Sequence, residues 1–224
     1  MKKFVILLLV FSILGLTSCG LLQKVGIGAP SEVELICDIA AQSKPTQVNT
    51  VVNYLTNSGD KLTGYYETST DGTNAIFKYY YERLATPAES VESGDSSRIV
   101  SFEGVINFKD GVYFGDEEDW KPGTGTALDL KFNLDPDLLK DATVDEDGVL
   151  IATLSAEDLA AFIGTDLNAV GDATVTVKTN NVNLTEITVS CTTASGTVTI
   201  RTSYTYNVKD LFPEPEVDEN TEAE

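Results

Sequence analysis

The order of apolar and polar positions divides this chain into regions of different period. Phe4 to Leu16 is an almost unbroken apolar run behind Lys2 and Lys3. From Ser31 the spacing becomes helical: Val33, Ile36, Cys37, Ala40 and Ala41 share one face, Ser31 and Glu34 form a capping box, and Pro45 stops the run. A helix is therefore predicted over 31–43, with Cys37 on its apolar side. Period-2 alternation then takes over. TQVNTVVNYLT, KLTGYYETS and NAIFKYYYERL read as strands, the last two flanking an Asp71-Gly72 turn. Phe77, Tyr79 and Tyr81 point one way, and Lys78, Tyr80 and Glu82 the other. After the loop TPAESVESGDSS, the strand RIVSFEGVINF places Val100, Phe102, Ile106 and Phe108 on one face, and Asp110-Gly111 turns it into VYF.

The middle is less regular. DEEDWKPGTG reads as a loop, ALDLKFN as a strand, Asp135-Pro136 as the opening of a short helix around DLLKDA, and DGVLIATL as a strand. Ser155 caps a second amphipathic helix, SAEDLAAFIG, with Leu159, Phe162 and Ile163 on its apolar face and Gly164 at its end. Three strands close the pattern: ATVTVKT, LTEITVSCTT and TVTIRTSYTYN. Ile187, Val189 and Cys191 share a face, as do Val198, Ile200, Tyr204 and Tyr206. The last residues, PEPEVDENTEAE, have little to bury and are expected to be disordered.

A helix over Phe4–Leu16 would rise about 20 Å, short of the roughly 30 Å hydrocarbon core of a bilayer. With two lysines before it, the run is read as a signal peptide rather than a permanent span. It ends Leu16-Thr17-Ser18-Cys19, which resembles the bacterial lipobox: an apolar residue, two small ones and a cysteine. The resemblance implies that Cys19 is diacylglycerylated and becomes the first residue of the mature chain, held to a membrane by acyl chains of the palmitate kind. Two or three such chains give lasting attachment where one is marginal. Gly20, not aspartate, follows the cysteine. The expected site is the outer membrane in a Gram-negative envelope, or the outer face of the cell membrane in a Gram-positive one. The expected organisation is a signal peptide at 1–18, a lipid-anchored tether at 19–30, one domain at 31–212 and an acidic tail at 213–224.

Composition narrows the chemistry. The net charge is −20, and it becomes more negative once Lys2 and Lys3 leave with the signal peptide. Phosphates would be repelled, so binding to nucleic acid or to anionic lipid headgroups through a basic patch is not expected. The chain has no histidine, which excludes Ser-His-Asp, Cys-His and His-metal sites. Besides Cys19, Cys37 and Cys191 remain in a compartment that permits disulfides. They either form one bridge between the start and the end of the domain or stay as two buried thiols. The runs Asp116–Asp119, Asp135-Pro136-Asp137 and Asp145–Gly148 offer oxygen ligands for Ca²⁺, but their spacing matches no complete loop. They read as solvated acid, with no metal or other cofactor expected. Among 35 acids, none can be nominated as a glycosidase pair.

Consecutive hairpin-connected strands with a few helices imply an α+β, mainly β domain: an antiparallel meander that must curl as strands accumulate. This order of elements over 31–208 resembles the half-barrel of the LolA/LppX-like lipoprotein-carrier superfamily. The resemblance implies a strongly curved sheet whose concave face, covered by the N-terminal and shorter helices, encloses a cavity for acyl chains. On it rests the expectation of a non-enzymatic, monomeric lipoprotein that binds a lipid or the acyl part of a lipoprotein. Phe77, Tyr79, Val100, Phe102, Ile106, Leu159 and Phe162 are the candidate lining. The other reading is a surface module with a filled core that recognises a protein or glycan through its loops. The aromatic stripe Tyr65, Tyr66, Phe77, Tyr79, Tyr80 and Tyr81, with Trp120 in a Gly/Pro loop, reads either as a sugar- or peptide-binding platform or as half-buried sheet core.

Overall fold

The computed structural model describes residues 30–87, 89, 99–109, 112–114 and 132–207. Residues 1–29, Asp116–Asp119, Trp120 and the acidic tail lie outside the described residues, and so do Cys19 and its lipobox.

Helix α1, Glu32–Gln42, begins as its sequence predicts. Ser31 Oγ accepts the Glu34 N–H at 3.2 Å, and the Glu34 carboxylate accepts the Ser31 N–H at 2.5 Å. Reciprocal capping of this kind satisfies two of the orphan donors of a helix start. The strands follow as β1 Gln47–Thr56, β2 Lys61–Thr70, β3 Ala75–Leu84, β4 Ile99–Lys109, β5 Val112–Phe114, β6 Thr143–Val144 and β7 Leu150–Leu154. Helix α2 spans Ala156–Ile163. It is capped by Ser155 and closed by Gly164, whose φ of 77° suits a residue without a Cβ. Strands β8 Ala173–Thr179, β9 Leu184–Thr193 and β10 Gly196–Thr205 complete the described chain.

All ten strands form one antiparallel sheet in the order β5-β4-β3-β2-β1-β10-β9-β8-β7-β6. This is not one continuous meander. Two meanders meet where β1 pairs with β10 along its whole length, from Gln47 opposite Thr205 to Thr56 opposite Gly196. The pairing is favourable because both strands are apolar on the same face, with Val48 opposite Tyr204 and Val52 opposite Ile200. The first and last long strands are thereby buried in the middle of the sheet. Among the described residues the sheet is open, with β5 and β6 at its two ends.

One predicted element differs, and another lies mostly outside the described residues. The segment around DLLKDA makes turns rather than a helix: Leu139 N–H reaches Asp135 O at 3.2 Å and Ala142 N–H reaches Leu139 O at 2.9 Å. Its purpose in packing is to insert Leu139, which is fully buried. Of the predicted strand ALDLKFN only Phe132 and Asn133 are described, and neither is in a strand. Asn133 N–H instead bonds Phe162 O at 2.7 Å, and the Phe132 ring packs on Phe162 with centroids 5.5 Å apart. Packing against α2 outweighs the β-propensity there.

The core lies on one face of the sheet, beneath the helices. Leu150, Ala152, Val175, Val177, Ile187, Val189, Cys191 and Ile200 project from β7–β10 against Ile36 and Cys37 of α1, Leu139, and Leu159, Phe162 and Ile163 of α2. Helix α1 packs on β8 and β6, and α2 on β7.

Candidate functional site

The face that carries this core continues without interruption across β1–β4. Register places Thr68, Phe77 and Ile106 in one cross-strand row, Tyr66, Tyr79 and Gly104 in the next, and Gly64, Tyr81 and Phe102 beyond it; Arg83 and Val100 end the series. Through β1 and β10 these rows join those of Ile200, Val189 and Val175. One half of a single apolar face is therefore packed under helices. The other half presents aromatic rings.

The rings form a chain. Tyr66 to Phe77, Phe77 to Tyr79, Tyr79 to Tyr81 and Tyr81 to Phe102 have centroids 6.4, 6.0, 6.2 and 5.1 Å apart, with planes 17–30° from parallel. Offset contacts of this kind add about 0.5–1.5 kcal/mol each beyond area burial. Gly64 makes the arrangement possible, since a Cβ there would lie 2.9 Å from the Tyr66 ring. Phe77 is buried, while Tyr66, Tyr79, Tyr81, Val100 and Ile106 are half-buried and Phe102 is 38% exposed. Burial pushes the Tyr66 hydroxyl above its ordinary pKa, so it stays protonated and can donate.

Arg83 stands at the end of the aromatic chain, its guanidinium 5.0 Å from the Phe102 centroid. Both terminal nitrogens donate to the Glu89 carboxylate, at 2.8 and 2.6 Å, and one also donates to Leu84 O at 3.2 Å. Glu89 further accepts from the Thr86 N–H and hydroxyl, both at 2.8 Å. The Arg83 hydrogen bonds, followed by those of Thr86, hold its carboxyl well below the usual range.

The opposite face is polar. Tyr65 and Tyr80 face each other there, the first bonded to Asn49 and Glu67 at 3.1 Å, the second to Glu82 at 2.8 Å. Ion pairs link Lys78 to Glu67 at 3.2 Å and Glu186 to both Lys178 and Arg201. This is a solvated surface of an antiparallel sheet.

The predicted lining thus separates into two groups. Phe77, Tyr79, Val100, Phe102 and Ile106 gather on the aromatic half. Leu159 and Phe162 lie on the same side of the sheet, yet both are sealed in the core beneath α2. Tyr66, Tyr81 and Arg83 complete the surface. The first two had the right alternation but also suited a solid core, and Arg83 is signalled only by continuing that alternation two residues further. Cys37 and Cys191 are both buried free thiols, the second of the two states the sequence left open.

The acidic turns serve the backbone. Asp145 Oδ1 accepts the Asp147 and Val149 N–H groups at 3.0 and 2.8 Å, and Asp135 Oδ1 accepts that of Asp137 at 2.9 Å. A cleft of about 440 Å³ lies between residues 133–142, β7 and α2, lined by Asp135, Asp137, Asp141 and Asp158 with Lys140 among them. Among the described residues no group of three acids or cysteines is placed to hold a metal ion.

Comparison with known proteins gives little beyond this geometry. No family model matches the chain, and no curated protein matches it. Among solved structures it is similar to a LolA superfamily protein from Nitrosomonas europaea, 11% identical, covering 80% of this chain and 94% of that one with a TM-score of 0.30. So loose a superposition carries no functional inference.

Proposed function

We propose that this protein is an exported, lipid-anchored, non-enzymatic carrier that binds a lipid or acyl chain against the aromatic half of its sheet. The supporting observation is the unequal cover of one apolar face. Helices seal it over β6–β8, whereas over β2–β4 its rings remain half-open. Such a surface favours apolar ligands at about 25 cal/mol per Å² removed from water, and ring faces accept an alkyl chain with little loss of side-chain freedom. In this reading the sheet bends as a half-barrel around its helix-bearing side. The domain is a monomer spanning 31–212, with Cys19 carrying the anchor and residues 19–30 the tether. A filled core around Leu159 and Phe162 favours a second reading for the helix-covered half, a module that recognises a protein or glycan partner through its loops.

The test is native mass spectrometry of the chain from Lys24 onward, exported without its lipid. Every described element lies beyond that point, including α1 and its cap, so the folded domain is retained. Co-purifying lipid of defined mass, released on denaturation, supports the carrier. A protein that is empty, and stays empty after incubation with membrane lipids, refutes it.

A further inference from the structure

On the reading that the aromatic half-face holds an acyl chain, we infer that the ligand is an amphiphile with one chain extended along β3. Its anionic oxygen head, carboxylate or phosphate, sits at Arg83. The argument rests on a pattern of charge. Of all the positions that register places on this face of β1–β4, Arg83 alone carries a charge. Phe77, Tyr79 and Tyr81 precede it at two-residue steps along the same strand, so the run from Phe77 to Arg83 extends about 20 Å, the reach of a long-chain acyl group. Gly104, opposite Tyr79, carries no side chain to interrupt this stripe on one side, and on the other the Tyr66 ring lies over Gly64.

A guanidinium has five N–H donors in a planar fork. Glu89 occupies it as an internal counter-ion, so that the cation beside Phe102 is not left uncompensated. Both partners are more than a third exposed, which leaves Glu89 free to turn to water while Thr86 still holds it. An incoming carboxylate or phosphate then takes the bidentate place that Glu89 releases. Glu89 is the competitor of the head, and Arg83 its receptor.

Isothermal titration of the chain from Lys24 onward with laurate and with dodecanol, which share a chain but not a charge, tests this. Laurate should bind more tightly. Arg83→Gln should weaken laurate about tenfold or more and dodecanol far less, Arg83→Lys should restore part of the loss, and Glu89→Gln should tighten laurate severalfold. The thermal melts of the variants show whether each is folded, and the opposite sign expected for Glu89→Gln is not one that misfolding produces. Equal binding of laurate and dodecanol, or an Arg83→Gln variant that holds laurate unchanged, overturns the head assignment while the carrier reading stands. Failure of both probes to bind removes that reading and the inference with it.

Discussion

Phe102 and Phe162 project from the same side of this protein but should respond very differently to truncation. Phe162 is fully buried, with Phe132 against its ring. Phe162→Ala removes its transfer free energy and leaves a cavity, a loss of about 3–5 kcal/mol. Phe102 is 38% exposed, so about three-fifths of its burial is at stake. With about 1.5–3 kcal/mol for complete burial of such a side chain, that share amounts to about 1–2 kcal/mol. Losing the 5.1 Å contact with Tyr81 adds about 0.5–1.5 kcal/mol. Phe102→Ala should therefore cost about 2 kcal/mol, roughly half the cost at Phe162, yet remove much of the ligand affinity. Urea unfolding at fixed pH measures both variants, and titration with laurate measures the second. A Phe102→Ala variant as unstable as Phe162→Ala would mean that the aromatic half is solid core, and the distinction on which the site rests would be refuted.

Other consequences follow from the central pairing and the buried thiol. A Cβ at Gly196 would lie 2.2 Å from Leu55 O, so Gly196→Ala must push β10 from β1 and should cost about 1–3 kcal/mol in urea unfolding. Thr50 and Thr202 are buried opposite one another with their hydroxyls 3.0 Å apart. Thr50→Val alone should cost about 1–3 kcal/mol by stranding the Thr202 hydroxyl, whereas the double valine variant should lie near the wild type; an additive double variant would contradict the pairing. Burial, reinforced by Asp38, Asp135 and Glu34, pushes the Cys37 thiol up to about 11 from 9.0. Because the folded state holds this proton more tightly, its contribution is complete below pH 9 and is lost as pH rises through 11. Relative to Cys37→Ala, the wild type should lose stability across that interval, and equal slopes would contradict it.

Local signals in this chain were clear wherever one side of an element faces water. The capping box at Ser31, the cap at Ser155 and the stop at Gly164 set helices α1 and α2, and the β pattern located β1–β4 and β8–β10, with alternation giving the faces of β3, β4, β9 and β10. Pairing between β1 and β10 was not legible, because strands separated by most of the chain leave no local trace of their partnership. Around Leu139 the local pattern misled: turns replace the expected helix, and Phe132 and Asn133, the two described residues of the expected strand, are held against α2 instead. The site was half legible. Alternation placed Phe77, Tyr79, Val100, Phe102 and Ile106 on one surface. The depth to which α2 sinks Leu159 and Phe162 depends on the helix-to-sheet packing, which spacing does not encode.

Photo-cross-linking tests the central claim most directly. The chain from Lys24 onward is incubated with a long-chain fatty acid carrying a diazirine near its tail, irradiated, digested and mapped by mass spectrometry. The account predicts adducts on peptides of β2–β4, centred on Tyr66, Phe77 and Tyr79, and competed by excess unlabelled acid. Adducts confined to the helices or to the polar face around Tyr65 and Tyr80, or none that excess acid displaces, would contradict it.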